Sequence, residues 1–299
     1  MAEFLVILGP TASGKSGLSL ELARELAGRG ADPEIINGDS MQLYSDLDIA
    51  TAKLSESERE EFPHHLFDIA PPEKELTVVQ YQKRARETIE EIISRGGYPI
   101  LVGGSMLYLQ SVIYEMNFAP TDLEIRQQLE LELEKIGPGG MLAKLQQLDP
   151  ESAERLNVGD SRRVIRALEL YKLRGRGLDE FEKKPPMWKE CRIYGLDVPR
   201  ESLKEQINSR VEQMWEAGLI EETKRLRGRL SATAAAAIGY QQVEMYLDGL
   251  LTKKQAIEQI QISTARYAKK QMTWFRRDEN IRWLSRTDAL EQILAETRL

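Results

Sequence analysis

Apolar positions recur along this chain in two rhythms. Short compact runs predict buried strands: Phe4-Leu5-Val6-Ile7-Leu8, Glu34-Ile35-Ile36-Asn37, Tyr98-Pro99-Ile100-Leu101-Val102, Arg192-Ile193-Tyr194-Gly195-Leu196-Asp197-Val198 and Ile281-Arg282-Trp283-Leu284. Between the first of these runs the apolar residues fall at helical spacing. Leu18, Leu20, Leu22, Ala23 and Leu26 predict a helix after the first strand, and Val79, Ala85, Ile89, Ile92 and Ile93 predict one over 76–94 that stops at Arg95-Gly96-Gly97. Strand and helix in alternation predict an α/β fold with a parallel, doubly wound sheet flanked by helices. From about Ala119 the strand rhythm disappears. Helices are expected over 123–135 and 141–148, broken by Gly137-Pro138-Gly139-Gly140, and a basic amphipathic helix over 161–173. This stretch reads as an all-helical insertion ending near Lys183-Lys184-Pro185-Pro186, which divides the chain into 1–118 with 190–299, and 119–189. After the fourth strand, helices are expected from Glu201 to Ala217, Ile220 to Arg227 and Lys254 to Trp274; residues 55–61 suit a short solvated helix.

The first strand runs directly into Gly9-Pro10-Thr11-Ala12-Ser13-Gly14-Lys15-Ser16, a G-x-x-x-x-G-K-[ST] phosphate-binding loop in its expected strand–loop–helix setting. Glycines let successive N–H groups point into one concavity, and the helix starting near Lys15 adds the positive end of its dipole. Lys15 reaches an outer phosphate, and the Ser16 hydroxyl suits Mg²⁺ bridging phosphate oxygens. The second strand ends in Gly38-Asp39-Ser40-Met41-Gln42-Leu43-Tyr44, and ligands of open α/β sheets lie beyond such strand ends. Asp39 is then either a participant in chemistry or a cap of the following turn. A second strand–glycine–hydroxyl–helix junction, Gly103-Gly104-Ser105, delivers another hydroxyl to the same crevice. His64 and His65 are adjacent and have no third ligand nearby, so no metal is expected there.

Charge and composition narrow the setting. Hydrophobic content of 41% and charged content of 30% are those of a water-soluble protein, and no apolar run approaches the roughly 20 residues a membrane span requires. The lone Cys191 and an N-terminus that enters a strand at once fit a reducing cytoplasm. A net charge of −7 argues mildly against a nucleic-acid partner. Its distribution argues the other way: Arg162, Arg163, Arg166, Lys172, Arg174 and Arg176 face one acid, Glu169, over 162–176, and Lys224-Arg225-Leu226-Arg227-Gly228-Arg229 contains none.

No clear strand ends in the Asp that completes a nucleotidase magnesium site, and no guanine-reading motif occurs, so the diphosphate need not belong to a nucleotide. The motif set resembles the tRNA dimethylallyltransferase (tRNA isopentenyltransferase) family over nearly the whole chain. It comprises the phosphate loop, Asp39-Ser40-Met41-Gln42-Leu43-Tyr44, Asp48-Ile49-Ala50-Thr51-Ala52-Lys53, Pro63-His64-His65-Leu66, the run from Pro99 to Tyr108, Arg163-Val164-Ile165-Arg166-Ala167-Leu168-Glu169, Ile238-Gly239-Tyr240 and the run from Ala268 to Arg276, in family order.

The resemblance implies a P-loop NTPase-like core and transfer of a dimethylallyl group from dimethylallyl diphosphate to N6 of adenine 37, beside the tRNA anticodon. It implies that Gly9, Thr11, Ala12, Ser13, Gly14, Lys15 and Ser16 hold the diphosphate, with Mg²⁺ on Ser16. Asp39 would be the general base, Ser105 would stand where threonine is usual, and Arg210 would neutralise the leaving group. It further implies tRNA contacts from Asp39, Ser40, Met41, Gln42, Ser105, Arg126, Arg162, Arg163, Arg166, Lys269 and Lys270; a monomer is expected, and the absence of a long apolar run predicts no membrane partner. Ala50, Ala236, Gln241 and Ala265 depart from the family pattern, the last two by removing positive charge. The alternative is a P-loop small-molecule or nucleoside kinase, whose lid the insertion would imitate; a binding protein without catalysis has no use for a diphosphate nest beside Asp39.

Overall fold

The computed structural model describes residues 3–297, apart from 117, 120 and 178–184. Lys183 and Lys184 of the expected linker therefore lie outside the described residues. Six strands form one sheet: β1 (Phe4–Leu8), β2 (Pro33–Asn37), β3 (His64–His65), β4 (Tyr98–Gly103), β5 (Cys191–Asp197) and β6 (Ile281–Ser285). Their order is β3-β2-β4-β1-β5-β6, and every pairing is parallel. The chain leaves β1 towards β2 on one side and leaves β4 towards β5 on the other, so the winding reverses at the adjacent β1 and β4. A crevice opens beyond the carboxyl ends of strands at such a reversal. Register brings the loops there: Leu8 pairs with Gly103 and Asn37 with Val102, so the segments after β1, β2 and β4 leave one edge together.

Twelve helices complete the description: α1 (Lys15–Gly28), α2 (Glu56–Arg59), α3 (Val78–Ser94), α4 (Met106–Ile113), α5 (Leu123–Leu148), α6 (Pro150–Glu154), α7 (Ser161–Arg174), α8 (Arg200–Glu216), α9 (Leu219–Leu226), α10 (Tyr240–Leu247), α11 (Lys253–Phe275) and α12 (Ala289–Glu296). The β1 stretch is wholly buried, as an all-apolar central strand must be. Leu5 and Ile7 pack with Leu18, Leu22 and Leu26 of α1 and Ile293 of α12 in one core cluster. That stripe fixes α1, and with it the loop at its start. A capping box of Thr77 and Gln80 starts α3, two residues after the expected beginning.

Two compact units divide the chain, Met1–Glu115 with Met187–Leu299, and Met116–Pro186. The divide falls a few residues before the expected 118/119 and 189/190, because Tyr114 bridges Met187 and the Trp188 N–H donates to the Ile113 carbonyl at 2.9 Å. The second unit has its own core of Leu129, Met141, Leu145, Val164 and Leu168. Its first two expected helices are one kinked span, bent where Gly137 takes φ 72° ahead of Pro138. Strand β3 and helices α6, α10 and α12 are not foreseen by the sequence pattern; each is short, and β3 has two residues. No described helix is long and apolar enough to cross a membrane.

Candidate functional site

Beyond the strand ends of the larger unit lies a cavity of about 380 Å³, lined among others by Thr11, Lys15, Ser16, Asp39, Arg210 and Gln271. Helix α1 is preceded by Gly14 at its N-cap, with no side-chain cap and no acid in its first turn, so its N–H groups stay open to an anion. Lys15 Nζ donates to the Pro10 carbonyl at 2.7 Å, folding the ammonium back over the loop. Burial pushes its pKa down to about 8; Asp39 opposes that shift and Arg210 adds to it. The Ser13 hydroxyl is buried with no hydrogen-bond partner, a polar atom that a bound phosphate oxygen would satisfy.

Asp39 both caps a turn and stands on the cavity wall. Its N–H donates to Asn37 Oδ1 at 2.8 Å and its own Oδ1 accepts the Met41 N–H at 2.9 Å, so it caps the turn after β2. It also lines the cavity, and Oδ2 makes no hydrogen bond among the described residues. Ser105 starts α4; its Oγ accepts the Ser40 N–H at 2.9 Å and meets Ser40 Oγ at 3.1 Å, tying the two loops together. This closeness needs glycine, since a Cβ on Gly103 would sit 2.2 Å from the Gly38 carbonyl oxygen. Arg210, on α8, donates to Thr11 Oγ1 and to the Thr51 carbonyl, both at 3.2 Å. Burial lowers its pKa and Asp39 raises it. The sequence-predicted Lys15, Ser16, Asp39 and Arg210 thus meet in one cavity although they span 196 positions.

Gln271 stands within a family motif run without a role assigned to it, and Tyr267 and Glu222 fall outside every such motif. Gln271, on α11, accepts the Thr11 N–H and donates to the Gly104 carbonyl, each at 2.8 Å. Tyr267, one turn earlier, lines the cavity; burial and the Asp39 charge push its phenol pKa up, and a hydrogen bond with Ser105 opposes them. Glu222, on α9, is fully buried and accepts the N–H groups of Asp48, Ile49 and Ala50 together with the Tyr240 hydroxyl. That fixes the loop whose Thr51 carbonyl holds Arg210 and Gln42. The available signal was position: Gln271 lies between Ala268 and Phe275, and Glu222 between Leu219 and Leu226, on buried helical stripes.

The candidate tRNA contacts fare unequally. Lys269 and Lys270 are exposed on α11, and Met41 and Gln42 line the cavity with Ser40. In the second unit, Arg162 and Arg163 are exposed, and Arg126 lies 3.9 Å from Glu130. Arg166 instead donates to Glu169 at 2.7 Å and to the Ala119 carbonyl at 2.6 Å, the pairing expected of a structural arginine. The 224–229 run acquires acids from elsewhere: Lys224 meets Glu221, Arg227 meets Asp248, and Arg229 meets Glu73 and Asp46. Its apparent excess of charge is therefore largely neutralised.

His65 Nε2 lies 2.6 Å from buried Glu34, which Arg95 also clasps, and His64 Nδ1 lies 2.8 Å from the Phe62 carbonyl. No cluster of His, Cys, Asp or Glu among the described residues forms a metal site. The hard oxygens of Ser16 and Asp39 in one cavity do fit Mg²⁺, which takes few protein ligands and completes its shell with phosphate and water.

Residues 42–278 match the family model described as IPP transferase, a span that starts after the phosphate loop. A protein named tRNA dimethylallyltransferase from Anoxybacillus flavithermus is 46% identical over 96% of this chain and 91% of its own length. One of the same name from Clavibacter sepedonicus is 43% identical, over 93% and 91%. The crystal structure of a full-length tRNA isopentenylpyrophosphate transferase from Bacillus halodurans is 38% identical, with a TM-score of 0.70 over 97% of this chain and 94% of that one. A eukaryotic dimethylallyltransferase described as acting on tRNA superposes with a TM-score of 0.79 at 28% identity, covering 98% of this chain and 77% of that one.

Proposed function

Because the chain belongs to the IPP transferase family, we propose that it transfers the dimethylallyl group of dimethylallyl diphosphate to N6 of adenine 37 in tRNA, releasing diphosphate. The observation that carries this reading is one cavity in which a phosphate loop and two half-buried cations, Lys15 and Arg210, face the carboxylate of Asp39. A kinase would also use the loop, but the relatives it matches carry the transferase name.

The residues divide the work by chemistry. The α1 N-terminus, the N–H groups of the loop, Lys15 and Arg210 bind the diphosphate and neutralise the charge that grows on it as the C1–O bond breaks. Mg²⁺ held at Ser16 would add positive charge beside the same oxygens. An aryl amine is a weak nucleophile because its lone pair is delocalised into the ring. Asp39 accepts a proton from N6 as the nitrogen forms its bond to C1, which leaves the neutral substituted amine and the free diphosphate. Its Met41 bond fixes one carboxylate oxygen and leaves Oδ2 for that proton. Ser40 and Ser105 supply hydroxyls next to Asp39 that orient the base. Adenine must leave the anticodon-loop stack to reach this depth, which is easier from a loop than from a duplex.

We assign the larger unit to the prenyl donor and chemistry, and the second unit, with Lys269 and Lys270 of the first, to the tRNA arm. The buried, reduced Cys191 supports a cytoplasmic setting, and a single chain carries every group the reaction uses. Incubation with labelled dimethylallyl diphosphate and unmodified tRNA, without ATP, should place label in the tRNA. Phosphate transfer from ATP to a small molecule, with no label in tRNA, would favour the kinase.

A further inference from the structure

Gln271 is 1% exposed, yet it is polar and both ends of its amide are engaged. Its oxygen accepts from Thr11 of the phosphate loop and its nitrogen donates to Gly104, the residue before Ser105. Those partners belong to the two loops that the transfer must hold apart by a fixed span. Thr11 sits in the diphosphate cradle, and Gly104 leads into the hydroxyl that is bonded to Ser40 beside Asp39. The fit leaves no slack: a Cβ on residue 104 would stand 2.5 Å from the Gln271 nitrogen and 3.2 Å from the Gly9 carbonyl oxygen. Thr11 is clamped twice, by Gln271 at its N–H and by Arg210 at its hydroxyl.

We propose that Gln271 is a positioning residue for prenyl transfer, a strut from α11 that sets the distance between the leaving-group cradle and the acceptor loop. The inference rests on the transferase reading above. Displacement at C1 needs the amine nitrogen, C1 and the departing oxygen nearly in line, with reacting atoms about 3–3.5 Å apart, and a misplacement of about 1 Å costs on the order of 10²-fold in rate. Each loop can still bind its own ligand when the strut is gone. What suffers is their mutual alignment, which matters only in the transition state. Packing alone does not call for an amide here, since Ile260, Ala268 and Phe275 already bury the same helix.

The test compares the full-length wild type with Gln271→Met, which keeps the length and loses both bonds, and with Gln271→Glu, which keeps an acceptor for Thr11 but turns a carboxylate towards the Gly104 carbonyl. Steady-state constants for prenyl donor and tRNA are measured below the onset of unfolding, together with the Kd of inorganic diphosphate in the presence of Mg²⁺. Both variants should lose roughly 10–100-fold in kcat, while both KM values and the diphosphate Kd stay within about threefold. Should Gln271→Met fail to fold, Gln271→Glu decides by the same split. A near wild-type kcat with only a lower Tm would reduce Gln271 to a packing residue, and a raised donor KM at unchanged kcat would make it a simple ligand contact; either overturns the strut. A wild type that labels no tRNA removes the transferase reading and this inference together, whereas an active wild type beside fully active variants removes this inference alone.

Discussion

Lys15 is unfavourable for the empty fold, and the transferase reading makes it necessary for the liganded one. Its ammonium is shut into the loop, and a pKa near 8 means that the charged form is disfavoured there relative to the unfolded chain. The unfolded chain thus binds the proton more tightly, so the stability of the unliganded protein should rise as pH climbs from about 8 towards the lysine reference value of 10.5, and below pH 8 the deficit is constant. Lys15→Met should accordingly stabilise the empty protein by on the order of 1–3 kcal/mol at neutral pH while abolishing donor binding. Diphosphate needs the protonated lysine, so its affinity should fall by up to about tenfold per pH unit above pH 8, read by calorimetric titration across pH; a flat profile would remove Lys15 from the cradle. At Asp39 the two readings, general base and turn cap, make one substitution informative. Asn retains the oxygen that caps Met41 but cannot take a proton, so Asp39→Asn should keep its Tm and lose roughly 10²–10⁴ in kcat. Wild-type turnover in that variant would leave Asp39 as a turn cap only.

At the scale of elements, the loop from 48 to 52 hangs from one buried carboxylate. Glu222 survives without a cation because three backbone N–H groups and the Tyr240 hydroxyl point at it. Gln can keep the bonds of Asp48 and Ile49 with its oxygen, but its amide nitrogen then faces the Ala50 N–H, donor against donor. Glu222→Gln should therefore cost roughly 2–3 kcal/mol, seen as a lowered Tm, with faster hydrogen exchange over 48–52. Tyr240→Phe, which removes one donor and orphans nothing, should cost about 1 kcal/mol. Equal losses in the two variants would mean that the hydroxyl, not the backbone, carries the interaction. Gly38 and Gly103 constrain the opposite wall in the same local manner, through an approach that admits no Cβ.

For the whole molecule, a net charge of −7 has to be reconciled with a polyanionic substrate. Local basic groups with no acid beside them among the described residues, such as Lys269 and Lys270, are the ones suited to it. Replacing Arg163, Lys269 and Lys270 with alanine should weaken tRNA binding and lower the log–log salt slope by nearly one per lost phosphate contact, with diphosphate affinity unchanged. Parallel salt lines of equal height for wild type and variant would exclude all three from the interface. Arg166→Ala should behave differently, destabilising the second unit, because its guanidinium holds Glu169 and the Ala119 carbonyl.

What the sequence by itself determined was local. The apolar run before Gly9, the glycine spacing of the phosphate loop and the helical stripe after it specify strand, nest and helix within one stretch, so β1, α1 and the place of Lys15 and Ser16 at the start of that helix were legible without a fold. Arg210 was found through the family pattern, since nothing in its own helix distinguishes it from other exposed-face arginines. Pairing across the chain was decided only in three dimensions. The strand order put β4 between β2 and β1 and so joined Ser105 to Ser40; acids remote in sequence pair with Arg227 and Arg229; and the two-residue β3 exists through its pairing with β2. Gln271 and Glu222 lie on buried stripes where a sequence shows only a polar residue out of place. Their partners are mostly backbone N–H and carbonyl groups, which every residue carries alike, so even where a motif run contains Gln271 its role is not written there and only the folded geometry selects which groups the two meet.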